Sequence, residues 1–175
     1  MDNKEWALIG IEVYFGDGEK KLKSFCRELM SFSKILKISS VYRVKPEQAD
    51  HLPSDRFKSF GRLSLAVLVE TGLEPLDMLN RLHEIEERVT EIVVQRTAKS
   101  YLLLWENQVV MSPQVTLPYP KFHTKPQILV PAAEIAGHLN HPILDSTLSK
   151  LSTQIKNTDW GVFHVRGKTL LDFSG

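Results

Sequence analysis

Cysteine is almost missing from this sequence: Cys26 is the only one. A disulfide framework is therefore excluded, and a reducing compartment fits. Long hydrophobic runs are missing too. No stretch reaches the roughly 18 consecutive apolar residues that cross a bilayer. The polar opening Met1-Asp2-Asn3-Lys4-Glu5 lacks the apolar region of a secretory leader. No membrane partner is expected, and the cytoplasm is the expected location. Charge of one sign is also scarce. Lys and Arg number 22 against 21 Asp and Glu, a net +1, too little for nucleic-acid binding driven by overall charge. Repeats, low-complexity tracts and linker-like segments are absent. What remains is a chain of 175 residues, 42% hydrophobic and 25% charged, an ordinary globular composition. A domain of this size buries roughly 70% of its unfolded surface, enough to fold without staples.

Hydrophobic periodicity organises the chain. Trp6 to Tyr14 is apolar and β-rich, a buried strand closed by the turn signal Gly16-Asp17-Gly18. Lys20 to Ser33 carries Leu22, Phe25, Cys26, Leu29 and Phe32 at helical spacing, which makes Cys26 a small buried apolar group. Ile35 to Val44 reads as one strand. Lys45 to Ser59 is polar and holds Pro46 and Pro53, so it reads as a long loop. Leu63 to Thr71 is a strand ended by Gly72. Pro75 suits a first helical position, and Leu76, Leu79, Leu82, Ile85 and Val89 form the stripe of a second helix. Tyr101 to Trp105 and Val109 to Met111 are strands. Ile128 to Ala136 and Ser146 to Ile155 are helices. Trp160 to Phe173, alternating around Arg166-Gly167-Lys168, predicts a terminal hairpin. The order β-α-β-β-α-β predicts an α+β, ferredoxin-like core with helices on one face of a mostly antiparallel sheet, followed by C-terminal helices and the hairpin. Residues 1–157 are expected to form one domain, with 158–175 as a hairpin packed on it.

Five segments carry a resemblance. They are Ser39-Ser40-Val41-Tyr42-Arg43, Leu65 to Pro75, His83-Glu84-Ile85-Glu86, Arg96-Thr97, and Ile128-Leu129-Val130-Pro131-Ala132-Ala133-Glu134-Ile135-Ala136. In this order and spacing, from about Trp6 to Leu151, the chain resembles the 6-hydroxymethyl-7,8-dihydropterin pyrophosphokinase family. The resemblance implies a transferase of folate biosynthesis that moves pyrophosphate from ATP to a pterin hydroxymethyl group. In such chemistry the protein mainly positions reactants while magnesium offsets phosphate charge. It further implies Arg96 as the retained catalytic position. The corresponding pocket falls at Gly10, Arg43, Ser64, Glu86, Lys99, Tyr101, Lys125 and Gln127.

The family's signature Arg-Thr-x-Asp-x-Asp departs here to Arg96-Thr97-Ala98-Lys99-Ser100-Tyr101. Alternate strand residues point the same way, so two aspartates can share hard cations. An amine and a phenol cannot. An ammonium roughly 4 Å from a divalent ion is repelled by about 8 kcal/mol at an effective dielectric near 20. The arginine-rich loop is also shortened between Glu86 and Arg96, and Ser64 and Gln127 stand where an asparagine and a stacking phenylalanine would contact the pterin. The expected function is thus a catalytically degenerate member with a binding or regulatory role, needing no metal or cofactor. Its expected partners are a small-molecule or nucleotide ligand in the altered pocket and a second copy through the terminal hairpin. Two alternatives stay open. One is an active enzyme using ATP and magnesium with substitute ligands such as Glu84, Glu86 or Glu87. The other is a protein-interaction module. Lys99 itself has two readings, counter-charge for a phosphate or ion pair with Glu86 or Glu84. His138 and His141 lack the third donor that zinc needs, so surface or capping roles are expected.

Overall fold

The computed structural model describes residues 3–14, 16–45, 62–90 and 97–173. The expected loop at 46–59 lies outside them. Strand β1 (Glu5–Val13) is buried on both faces and forms the spine. Helix α1 (Gly18–Leu29) starts at Asp17, whose carboxylate accepts from Lys20 N at 3.1 Å, and buries Leu22, Phe25, Cys26 and Leu29. Then come β2 (Lys34–Ile38), β3 (Val41–Val44) and β4 (Arg62–Thr71). Helix α2 (Pro75–Val89) opens on its proline, where the missing N–H costs nothing. Strand β5 (Ala98–Trp105) closes the core.

Among the described residues all pairings are antiparallel; the large sheet runs β3-β4-β1-β5, with the late strand Gly161–Val165 outside β3 and β2 also on β4. This is the expected ferredoxin-like order with one strand added. The alternation of strand residues sorts the core into two layers. Ala7, Ile9, Ile11, Leu65 and Val67 meet α1 and α2. Leu8, Ala66, Tyr101 and Leu103 meet the C-terminal helices α3 (Pro126–Ala136) and α4 (Leu148–Thr153) on the other face. Two short ribbons complete the chain, β6 (Val110–Met111) with β7 (Thr116–Leu117) and β8 (Asn140–His141) with β9 (Ser146–Thr147). No helix among the described residues is long and apolar enough to cross a membrane.

Three local expectations change. The single strand expected over Ile35 to Val44 is broken at Ser39-Ser40. There Ser39 N donates to Ala66 O and Ser39 Oγ accepts from Ala66 N at 2.8 Å, so the hydroxyl stands in for a backbone carbonyl. The helix expected from Ser146 starts later. Ser146 and Thr147 pair with β8, and the Thr147 hydroxyl caps α4 by accepting from Lys150 N. The expected terminal hairpin is instead one strand, β10 (Gly161–Val165), paired with β3, and a 3-10 turn, Gly167–Leu171, against α1. Gly167 permits this route, because a Cβ there would lie 2.0 Å from the Ser39 carbonyl oxygen. Leu170 is then buried below α1, and Arg27 lies over the Phe173 ring.

Candidate functional site

Strand β5 ends the sheet on one side, and its alternating residues serve both faces of that edge. Ser100 turns toward α2, where Glu86 Oε1 accepts from Ser100 N at 2.6 Å and Ser100 Oγ at 2.7 Å. Glu86 is buried at 3% exposure, so these charge-assisted bonds hold its carboxylate as a fixed piece of wall. Tyr101 turns to the opposite face and meets Tyr119 edge-on, ring centroids 5.1 Å apart. Two ammoniums use that ring. Lys99 Nζ is 4.9 Å and Lys125 Nζ 5.8 Å from its centroid, and Lys125 Nζ is also 5.9 Å from the Tyr119 ring. All lie within cation–π range.

A cleft of about 430 Å³ wraps this edge, a volume typical of small-molecule sites. Helix α2 supplies Leu79, His83 and Glu86, and β5 supplies Lys99, Ser100 and Leu102. The far wall is Gln114 to Leu117, followed by Tyr119, Lys121 and Lys125. Among the described residues the cleft lining carries three lysines and one glutamate, beside the apolar side chains of Leu79, Leu102, Val115 and Leu117.

Behind Tyr101 sits Glu12, 1% exposed in the middle of β1. Its Oε2 accepts from Tyr14 OH at 2.6 Å and Tyr101 OH at 3.4 Å and faces Arg62 Nη1 at 3.5 Å. Its Oε1 is buried without a partner. Burial first, then the Glu12 charge, raises the phenols of Tyr14 and Tyr101 well above the ordinary tyrosine range. Tyr119 shifts the same way, from burial, then Glu12 and Glu86. Tyr101 is thus a neutral phenol turned to a carboxylate, and Lys99 is an ammonium on its ring. This pair does not fit magnesium, which takes carboxylate, phosphate and water oxygens. Among the described residues no group of three or more His, Cys, Asp or Glu side chains is placed to hold a metal ion.

The other expected site residues separate into groups. Glu86, Lys99 and Lys125 line the cleft, with Tyr101 beneath the two lysines. Ser64 and Gln127 meet further along the same face, with Gly10 beside Ile128 and Tyr101. A Cβ on Gly10 would touch Ile128 and Tyr101, and Ser64 Oγ donates to Gln127 O at 3.0 Å. Gln127 Oε1 is buried without a partner. Arg43 lies on β3 beside the far edge of the sheet, with Nη2 3.3 Å from His164 Nδ1, apart from the cleft. Arg96 lies outside the described residues. Lys99 rests on Tyr101 rather than on Glu84, which pairs with Arg81 and Arg88. His141 Nδ1 accepts from the N–H groups of Ile143 and Leu144, a turn-capping role. Tyr119, Lys121 and Glu12 were not expected as site members. Only Glu12 left a sequence signal, a carboxylate inside an otherwise apolar strand, since a buried charge requires partners.

Two of the resembling segments meet at Glu134 of α3. Its Oε1 accepts from Ser40 N and Ser40 Oγ, and its Oε2 accepts from Tyr42 OH at 2.8 Å. Burial, then Glu134, pushes the Tyr42 phenol up to about 12. The carboxylate thereby binds the break between β2 and β3 to the helix that covers it.

Comparison with known proteins bears on the family and the fold. The family model described as 7,8-dihydro-6-hydroxymethylpterin-pyrophosphokinase (HPPK) matches residues 8–137. A 2-amino-4-hydroxy-6-hydroxymethyldihydropteridine pyrophosphokinase of Bacillus subtilis is 27% identical over 145 residues, 77% of this chain and 79% of the relative. The enzyme of that name from Haemophilus influenzae is 26% identical over 117 residues, 65% and 69% of the two chains. Among solved structures, a Plasmodium falciparum HPPK-DHPS triple mutant with SDX-DHP superposes with a TM-score of 0.70 at 12% identity, covering 87% of this chain and 44% of that one. The wild-type HPPK-DHPS gives 0.67 at 13% identity, covering 87% and 45%. The chain spans less than half of those solved chains, and at such identity they speak for the fold alone. With the family model matching most of its length, the chain belongs to the 7,8-dihydro-6-hydroxymethylpterin-pyrophosphokinase family.

Proposed function

We propose that this chain acts in folate biosynthesis as an ATP-dependent diphosphate transferase on 6-hydroxymethyl-7,8-dihydropterin. The observation that carries this reading is the family match over residues 8–137, with two curated relatives named for that reaction. The hydroxymethyl oxygen attacks the β-phosphorus of ATP. The bond from that phosphorus to the α–β bridging oxygen breaks, AMP leaves with the bridging oxygen, and the hydroxyl proton passes to solvent. In phosphoryl chemistry of this kind the protein positions reactants and offsets charge. The cleft on the β5 edge suits that work, since both lysines and apolar side chains line it. Lys99 and Tyr101 do not fit a magnesium ion, so the lysines of the cleft are the groups that offset phosphate charge. A cytoplasmic location belongs to the same proposal.

A second reading is favoured by one specific observation, the ammonium and neutral phenol at the alternating positions of β5. In it the chain is a catalytically silent member that keeps ligand binding for a regulatory or partnering role. One experiment separates the two: the full chain with ATP and 6-hydroxymethyl-7,8-dihydropterin, run once with magnesium and once in EDTA, followed by chromatographic measurement of AMP. Sustained AMP release that depends on the pterin supports the transferase. Saturable ligand binding without AMP release supports the silent member.

A further inference from the structure

We propose that the cleft on the β5 edge binds the polyphosphate of a nucleotide in its metal-free form, with Lys99 and Lys125 as the counter-charge. The inference rests on the reading above that this cleft is the nucleotide site. It goes further in assigning the ionic form of the ligand.

The first argument is local charge. Lys99, Lys121 and Lys125 all line one cleft, and among its described lining residues the one carboxylate is Glu86, with an oxygen engaged by two Ser100 donors. Lys99 and Lys125 flank the same tyrosine ring at 4.9 and 5.8 Å. Two like charges beside one ring repel each other, and an anion between them relieves that repulsion. A free triphosphate brings up to four negative charges. Its magnesium complex brings two fewer, together with a hydrated cation that the lysines repel. The ring pair also matters. Tyr101 and Tyr119 meet edge-on, and their faces lie within cation–π range of the ammoniums of Lys99 and Lys125, so less side-chain freedom is lost on binding.

The second argument is the remainder of the cleft. Leu79, Leu102, Val115 and Leu117 form an apolar strip beside the lysines. A bare polyphosphate leaves that strip uncovered, whereas a nucleotide lays its base there. Charge and shape together select a nucleoside polyphosphate over an inorganic one.

The test is titration calorimetry of the full chain with three ligands: ATP in EDTA, ATP with excess magnesium, and inorganic triphosphate in EDTA. The expected result is that metal-free ATP binds at least about tenfold more tightly than its magnesium complex and more tightly than inorganic triphosphate. Lys99→Gln should weaken metal-free ATP at least about tenfold, and Lys99→Arg should keep most of the affinity. Lys99 is exposed, so both variants should melt like the parent. Equal or tighter binding of magnesium–ATP overturns the proposal, as does indifference to Lys99→Gln or the absence of heat with metal-free ATP. Equal binding of inorganic triphosphate overturns the nucleotide assignment. Pterin-dependent AMP release without binding of metal-free ATP sinks this inference and leaves the transferase standing. Neither binding nor release with any of the ligands removes both.

Discussion

Beneath α1 and α2 the strands present Ile9, Ile11, Leu65 and Val67, all apolar and almost fully buried. On the opposite face the same strands present Gly10, Glu12, Ser64 and Tyr101, and beside them lies a cleft bordered by lysines. The first face needs only volume and exclusion of water. The second keeps polar groups that a pure core would discard, since each buried one costs free energy unless it is partnered. Within that second face two carboxylates differ again. Glu134 has both oxygens satisfied by Ser40 and Tyr42 and acts as a joint. Glu12 keeps one buried oxygen without a partner. Glu134 joins two elements with every oxygen engaged, whereas Glu12 stands behind Tyr101 with one oxygen left over.

Variants on either face break or sharpen this contrast. The largest effect is expected from Phe25→Ala on the apolar face, a loss of about 4 kcal/mol in denaturant unfolding with unchanged affinity of the folded fraction for nucleotide. Next comes alkaline pH. Burial raises the Cys26 thiol to about 12 from an ordinary 9.0. The unfolded chain releases that proton first. Stability from this group is therefore complete below its unfolded value and is lost as pH rises toward its folded one, by about 3 kcal/mol near pH 11. Cys26→Ala should flatten that part of a stability profile against pH.

Glu134→Ala should cost about 1 kcal/mol, because Ser40 and Tyr42 exchange a carboxylate acceptor for water at a solvent-open joint. Hydrogen exchange should rise around β3 while the α1 and α2 face stays protected. The smallest effect is expected from Tyr101→Phe. It removes a hydroxyl 3.4 Å from Glu12 and should cost less than about 1 kcal/mol, with nucleotide affinity unchanged because the ring under both lysines remains. Tyr101→Leu removes that ring and should weaken nucleotide binding severalfold by calorimetry.

The sheet was legible in the sequence because each central strand carries an apolar, β-rich run bounded by turn or helix-start signals. The departure at Lys99 and Tyr101 was equally legible, since residue identity alone decides what an oxygen-seeking cation meets. The break at Ser39 was not, because it depends on a hydroxyl meeting Ala66, a residue brought near only by the folded sheet. The tail misled for a related reason. Arg166-Gly167-Lys168 carries a hairpin's turn signal, yet the partner of β10 is β3, far back in the chain. Tyr119 and Lys121 join the cleft through the route of residues 114–125 around the β5 edge, which local spacing does not encode.

The most direct test is a crystal structure of the full chain with a non-hydrolysable ATP analogue and manganese, read by anomalous scattering. The account predicts phosphates seated against Lys99 and Lys125, with no manganese between Lys99 and Tyr101. Manganese ions bound at those two residues in octahedral coordination would contradict it.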